Sequence, residues 1–243
     1  MASSAAAAAA PTRYHEKFGL PSFDNTTFVV FGYGSILWKQ NFDYDAEYET
    51  YIKGYKRVFY QGSCDHRGQP GKPGRVVTLL PSDDKEERVY GKAYQLPADP
   101  EKLNEIFTAL DVREQGGYER LVVVLYDAHP SSHQQQQQQQ TGDAAAEARQ
   151  HDHVLHFAKT EGRTVVCLCY IATETNSDYL GPASLQSMAQ QILECSGPSG
   201  PNREYLYKLA DALREMGATD QHVFDLDALA RHLETAATVE PEA

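Results

Sequence analysis

Two stretches of this 243-residue chain set polar or ionisable groups beside paired glycines. In Phe31-Gly32-Tyr33-Gly34-Ser35-Ile36-Leu37-Trp38, two glycines flank a tyrosine directly after an apolar run. Glycine permits positive φ and close backbone approach, so consecutive N–H groups can point at an anion or a carbonyl oxygen. Ser35 adds a hydroxyl. A bare Gly-x-Gly is equally a plain tight turn. In Asp111-Val112-Arg113-Glu114-Gln115-Gly116-Gly117-Tyr118, a carboxylate leaves a helix end and enters a Gly-Gly turn before a strand. Such a turn can deliver Glu114 to the mouth of a cleft. By itself the same pattern also reads as a surface Arg–Glu pair.

Two further stretches are weaker. Asp65-His66-Arg67-Gly68 precedes Pro73-Gly74-Arg75-Val76-Val77-Thr78-Leu79. Arg67 and Arg75 can pair with a substrate carboxylate, and His66 can act as a base, although loop charges are more often simply solvated. Tyr179-Leu180-Gly181-Pro182 and Gly197-Pro198-Ser199-Gly200-Pro201-Asn202-Arg203-Glu204-Tyr205-Leu206 repeat Gly-Pro units that punctuate helices. The glycine turn lacks the third glycine and the βαβ context of a dinucleotide site, and it is no Walker loop. No Gly-x-Ser-x-Gly elbow, His-Glu-x-x-His or EF-hand pattern occurs. The inventory fits a reaction driven by one carboxylate, with no cofactor and no metal.

The elements that must position these residues follow from the hydrophobic patterning. Phe28–Phe31, Tyr55–Tyr60, Arg75–Leu80, Val89–Leu96, Tyr118–Tyr126 and Arg163–Thr173 are strand-like runs bounded by Gly, Pro or Asp. Short connections suggest an antiparallel meander that can close into a barrel. One helix interrupts them. Asp99 caps it, Pro100 fits its first position, and Leu103, Ile106, Phe107 and Leu110 share one face. The last third carries three helical stripes: Leu185 to Leu193, Tyr205 to Leu213 with Asn202 as cap, and Leu226 to Leu233.

Composition narrows the function. Lys plus Arg number 22 against 34 Asp plus Glu, a formal net charge of −12. That excess repels phosphate backbones and anionic lipid, so neither nucleic acid nor membrane is an expected partner. No apolar run approaches the roughly 20 residues of a bilayer span. Cys64, Cys167, Cys169 and Cys195 do not form a disulfide framework for a chain of this length, and Cys167 and Cys169 share one face of a strand as small core residues. Residues 1–22, with six consecutive alanines and no basic segment, read as a disordered tail rather than a secretory signal. The expected location is the cytoplasm. Residues 131–152 hold seven consecutive glutamines and too little apolar surface to offset ordering, so a disordered hairpin insert is expected. His151, His153 and His156 carry no further ligand pattern. A single domain over residues 23–236, with a short tail at 237–243, accounts for the rest.

Taken in order, FGYGS, DHRG, PGRVVTL, VREQGGY, YLGP and GPSGPNREYL resemble the ChaC family, the glutathione-specific γ-glutamylcyclotransferases, from about Phe28 to about Leu233. The resemblance implies an α+β fold, a small mixed or antiparallel β-barrel with surrounding helices. It implies Glu114 as acid/base and the turn Gly32, Tyr33, Gly34, Ser35, Ile36 and Leu37 as substrate-binding. The family commonly has Leu directly after the serine, where this chain has Ile36-Leu37. The implied reaction converts glutathione to 5-oxoproline and Cys-Gly without a cofactor. Cyclotransfer of other γ-glutamyl amides, or a non-catalytic module of the same fold, are the alternatives; oligomeric state is not indicated.

Overall fold

The computed structural model describes residues 20, 22–113, 117–129, 155 and 162–239. Its centre is a six-stranded mixed sheet in the order β6-β8-β1-β5-β2-β7. The strands are β1 (Thr26–Gly32), β2 (Ala46–Lys53), β5 (Arg88–Gln95), β6 (Glu119–Val122), β7 (Tyr126–Asp127) and β8 (Thr164–Ile171). A separate antiparallel hairpin joins β3 (Tyr55–Ser63) to β4 (Gly74–Pro81). Helix α1 (Pro100–Arg113) stands between β5 and β6; α2 (Leu185–Glu194), α3 (Asn202–Glu215) and α4 (Gln221–Val239) follow β8. The short hairpin β9 (Ser196–Gly197) and β10 (Gly200–Pro201) links α2 to α3.

The expected barrel is not formed. Among the described residues the hydrogen-bond ladder is open, with β6 and β7 at its two ends. Those ends are nevertheless close in sequence, since only residues 123–125 separate them. Six strands laid flat would hold their edges about 24 Å apart at normal strand spacing. The step from Val122 to Tyr126 spans at most about 14 Å. The sheet must therefore curl until its edges are linked by chain rather than by a ladder. This also corrects the single strand expected over Tyr118–Tyr126, which breaks so that β6 can pair with β8 while β7 pairs with β2. The meander is corrected as well, because β1 and β8 run parallel, from Thr26↔Thr164 to Phe31↔Cys169.

All seven residues of β1 are buried, because both of its faces are covered. One face supplies Phe28 and Val30 to a cluster with Leu103, Ile106, Phe107 and Leu110 of α1. Asp99 caps that helix as expected, its Oδ1 accepting from the N–H groups of Glu101 (2.8 Å) and Lys102 (3.1 Å). The other face supplies Val29 and Phe31 to a larger cluster that includes Cys167, Cys169 and the inner faces of α2, α3 and α4. Both cysteines are core residues, and burial alone pushes the Cys167 thiol up to about 12.

Asn202 does not act as the expected cap. It is fully buried, accepts from the Arg75 N–H at 2.7 Å and donates to the Arg75 carbonyl at 2.8 Å. It thus satisfies β4 as a neighbouring strand would, and the residue before α3 is Pro201, whose side chain offers no cap.

The start of α4 docks on β3 through two polar contacts: Asp220 approaches Arg57, and His222 Nε2 accepts from the Phe59 N–H at 3.1 Å. Burial lowers the His222 pKa below 6.5; Asp220 and Asp225 oppose that shift, while Arg75 and Lys56 add to it. The unfolded chain therefore binds this proton more readily than the folded one. The contribution is complete above the unfolded value of 6.5 and is lost as pH falls from there toward the depressed folded value. His222→Gln, whose side-chain carbonyl can still accept from Phe59, is expected to lose less stability than the parent between about pH 7.5 and about pH 5.5. Urea denaturation at both pH values measures the difference, and parallel losses would contradict the assignment.

Candidate active site

A cleft of about 540 Å³ opens where the end of β1, the β3–β4 hairpin, the end of α1 and the start of α3 meet. Gly32, Tyr33, Gly34, Ser35 and Ile36, from the turn after β1, line it. Leu37 does not line it. It is 5% exposed and packs into the larger core cluster, because the chain turns into one short 3-10 helix at Ser35–Leu37 and that geometry points it inward.

Within this turn the first internal bond is the Leu37 N–H to the Gly34 carbonyl, at 3.0 Å. The N–H groups of residues 34–36 therefore precede the turn's own ladder, where a helix start presents donors. The Tyr33 hydroxyl donates to the Tyr170 carbonyl at 2.9 Å, tying the turn to β8. The Tyr94 hydroxyl donates to the Ile36 carbonyl at 3.0 Å, tying it to β5. The turn is thus braced from two strands.

Neither Gly32 nor Gly34 has positive φ. Their role is close approach. A Cβ on Gly34 would stand 2.9 Å from the Tyr205 hydroxyl and 3.3 Å from Val77 Cγ2. Gly34→Ala should displace the turn or the Tyr205 ring with the fold retained, and is expected to lower turnover about 100-fold, the size of effect that a small misplacement has where a turn holds reacting atoms. Adding Tyr205→Phe removes the atom it strikes and should recover part of the loss. Steady-state kinetics of the single and double variants checks this; an equal loss in both would contradict it.

Glu114 lies outside the described residues, as do Gln115 and Gly116. The described residues on either side do line the cleft: Ala109 and Leu110 in the last turns of α1, and Tyr118 just before β6. Arg120 pairs with Asp111 and donates from Nε to the Tyr170 hydroxyl at 3.2 Å, so the chain on the two sides of residues 114–116 is clasped together. Gly117, at φ +79°, supplies the backbone conformation that favours glycine there.

The two candidate arginines divide. Arg75 is committed to structure: Nε donates to Gln191 Oε1 at 2.6 Å, and Nη1 to the carbonyls of Phe59 (2.8 Å) and Gly181 (3.1 Å). The Tyr179–Pro182 motif is thereby anchored to β4. Arg67 lines the cleft with Asp65 and His66. Burial lowers its pKa, opposed by Glu204 and Tyr205, and an arginine remains charged under such a shift. Ser199, Asp178, Lys39, Gln61 and Tyr205 also line the cleft and were not read as site residues from the sequence. They come from distant segments, and only Ser199 and Tyr205 lay in a recognisable motif. Among the described residues, no group of three or more His, Cys, Asp or Glu side chains is placed to hold a metal ion. His151, His153 and His156 lie outside the described residues. No described helix is long and apolar enough to cross a membrane.

Fold and cleft define an α+β protein built like a yeast γ-glutamyl cyclotransferase specific to glutathione. That crystal structure matches with a TM-score of 0.69 at 29% identity, covering 86% of this chain and 97% of the yeast one. Residues 28–233 match the family described as ChaC-like protein, and the chain belongs to that family. Among its relatives, γ-glutamylcyclotransferase 2-3 of Arabidopsis thaliana is 38% identical over 84% of this chain and 88% of its own length. Mouse glutathione-specific γ-glutamylcyclotransferase 1 is 38% identical over 80% of this chain and 74% of its own. The glutathione-specific enzyme of Saccharomyces cerevisiae is 33% identical over 79% and 88%.

Proposed function

We propose that this chain converts glutathione to 5-oxoproline and Cys-Gly, with Glu114 as the acid/base and the Tyr33-Gly34-Ser35 turn as the oxyanion site. The observation that carries the reading is one cleft bounded both by that turn and by the residues flanking Glu114, in a chain whose relatives bear the names of this activity.

The substrate supplies its own nucleophile. Its α-amine attacks the γ-carbonyl, a C–N bond forms, the oxyanion collapses, and the amide C–N bond to cysteine breaks. Folding the γ-glutamyl chain into a near-attack shape gives the amine a high effective molarity. The amine is mostly protonated near neutral pH, and the departing nitrogen needs a proton. One carboxylate between the two nitrogens takes the first proton and returns it to the second. The N–H groups at the start of the 3-10 turn are suited to the negative charge that develops on oxygen. From ammonium to ring N–H two protons leave the first nitrogen, and the second gains two as it departs, so the carboxylate relays twice and the step balances with the substrate and one carboxylate.

The four cysteines are all free, which supports a reducing, cytoplasmic setting. The test is direct: purified protein is incubated with glutathione and with γ-glutamyl-alanine, and 5-oxoproline is measured from each. Product from glutathione in clear excess supports the reading. Equal product from both would move the assignment to γ-glutamyl amides in general, and none from either would overturn it.

A further inference from the structure

The geometry points to Arg67 as the residue that holds the glycyl carboxylate of the substrate, and so distinguishes the tripeptide from γ-glutamyl amides that lack it. The inference rests on the cyclotransferase reading and adds the end of the cleft that recognises the leaving dipeptide.

Arg67 follows β3, and its side chain is 9% exposed. Nη1 donates to the Pro201 carbonyl at 3.0 Å, and the guanidinium lies 5.9 Å over the Tyr205 ring. These contacts fix its orientation. Among the described residues none accepts from its Nε or Nη2. Neither nitrogen is a sealed, unsatisfied group, since the buried unpaired side-chain atoms belong to Thr50, Arg57 and Gln61. Two donors of a planar cation therefore stay available on a residue that lines the cleft, a geometry suited to a carboxylate.

The wall around it is built from motifs that the cyclisation chemistry does not use. The Ser199 N–H donates to the His66 carbonyl at 2.9 Å, and the Ser199 hydroxyl is 3.4 Å from His66 Nδ1. Gly197 passes so close that a Cβ there would stand 2.4 Å from the His66 carbonyl oxygen. The β9–β10 hairpin thus locks onto the loop that carries Arg67. Nearby carboxylates offset its charge only in part. Glu204, 3.8 Å from Arg67, is 46% exposed, and Asp65 is 72% exposed and faces His66 at 3.7 Å, so solvent screens both more than it screens Arg67.

Direction along the cleft selects which carboxylate. The carbon bearing the attacking amine also bears the glutamyl carboxylate, and for ring closure this end must fold back on the γ-carbonyl at the Tyr33-Gly34-Ser35 turn. Arg67 and Ser199 belong to the hairpin loops beside α3, and in the proposed orientation the dipeptide extends along the cleft toward them.

The test uses the full chain with glutathione and with its C-terminal amide, in which the glycyl carboxylate is replaced by a neutral group. The parent is expected to favour glutathione over the amide about 10–100-fold in kcat/KM, mainly through KM. Arg67→Met should bring that ratio to within about threefold of unity by lowering the value for glutathione. Titration calorimetry with both ligands, run with and without Arg67→Met in a Glu114→Gln background, reads the same ratio without turnover, so a failure of the cyclotransferase reading is seen separately. If Arg67→Met does not fold, Arg67→Lys keeps the stem and the charge but loses the planar donors, and the ratio should still fall several-fold. A parent that treats both compounds alike overturns the inference. So does a folded variant that loses both in parallel, the result expected if Arg67 held the glutamyl carboxylate.

Discussion

Glu114→Gln is expected to keep the fold and still bind glutathione while forming 5-oxoproline about 10²–10⁴-fold more slowly. Glutamine matches glutamate in size and accepts hydrogen bonds, but it can neither take the proton from the substrate amine nor return one to the departing nitrogen. The loss should appear in kcat, because the side chain acts on protons in motion rather than on the resting substrate. Glutathione binding by calorimetry should change little, and circular dichroism should be unaltered. Turnover near that of the parent would remove Glu114 from the chemistry. A loss of binding with kcat preserved would recast it as a holder of the substrate ammonium.

The second large effect concerns stability. Asp220→Ala should destabilise the protein by about 3–5 kcal/mol, the usual result of stripping the partner from a buried charge. The Arg57 side chain is completely buried, and Asp220 Oδ2 stands 3.2 Å from its Nη1. Arg57 Nη2 donates to the Tyr90 carbonyl, whereas Nε and Nη1 make no well-directed hydrogen bond. The close approach of Nη1 to Asp220 is thus mainly coulombic. Burial lowers the arginine pKa, and the Asp220 charge is the largest influence opposing it.

Asp220 also caps α4: its Oδ1 accepts from the Val223 N–H at 3.3 Å, and its carbonyl from the Phe224 N–H at 3.1 Å. Asp220→Asn retains a capping oxygen and should lose less than Asp220→Ala. Arg57→Met combined with Asp220→Ala removes the stranded cation and should recover a large part of the loss. Urea denaturation of the three variants measures these differences. A fall of less than about 1 kcal/mol for Asp220→Ala would show the pair to behave like an exposed one.

Legibility followed the range of the interactions. Helix α1 could be read because its signals are local: the Asp99 cap, Pro100, and apolar residues spaced along one face. The glycine turn could be read for the same reason. Strand β2 was not foreseen, because Glu47, Glu49 and Lys53 interrupt its apolar residues and its pairing with β5 is what makes it a strand. The parallel β1–β8 pairing joins residues far apart in sequence and leaves no local mark.

The same distinction holds at the site. Arg67 and Arg75 look alike in sequence, two basic residues in neighbouring Gly-Pro loops. Only the distant partners separate them, since Gln191 and Gly181 occupy Arg75, whereas Pro201 orients Arg67 and leaves two of its nitrogens available. Asn202 has the sequence context of a helix cap, but its amide is taken up by the Arg75 N–H and carbonyl of β4, a partner far away in sequence. Of the two properties glycine offers in that turn, Gly34 uses close approach, to Tyr205, and not positive φ.

The central claim is that the substrate amine becomes the ring nitrogen and that water takes no part. Glutathione labelled with ¹⁵N at the glutamyl amine tests it most directly, with products followed by mass spectrometry. The account predicts 5-oxoproline that keeps the label in its ring, an equal amount of unlabelled Cys-Gly, and no free glutamate. Labelled free glutamate as the first product would mean hydrolysis by water and would contradict it.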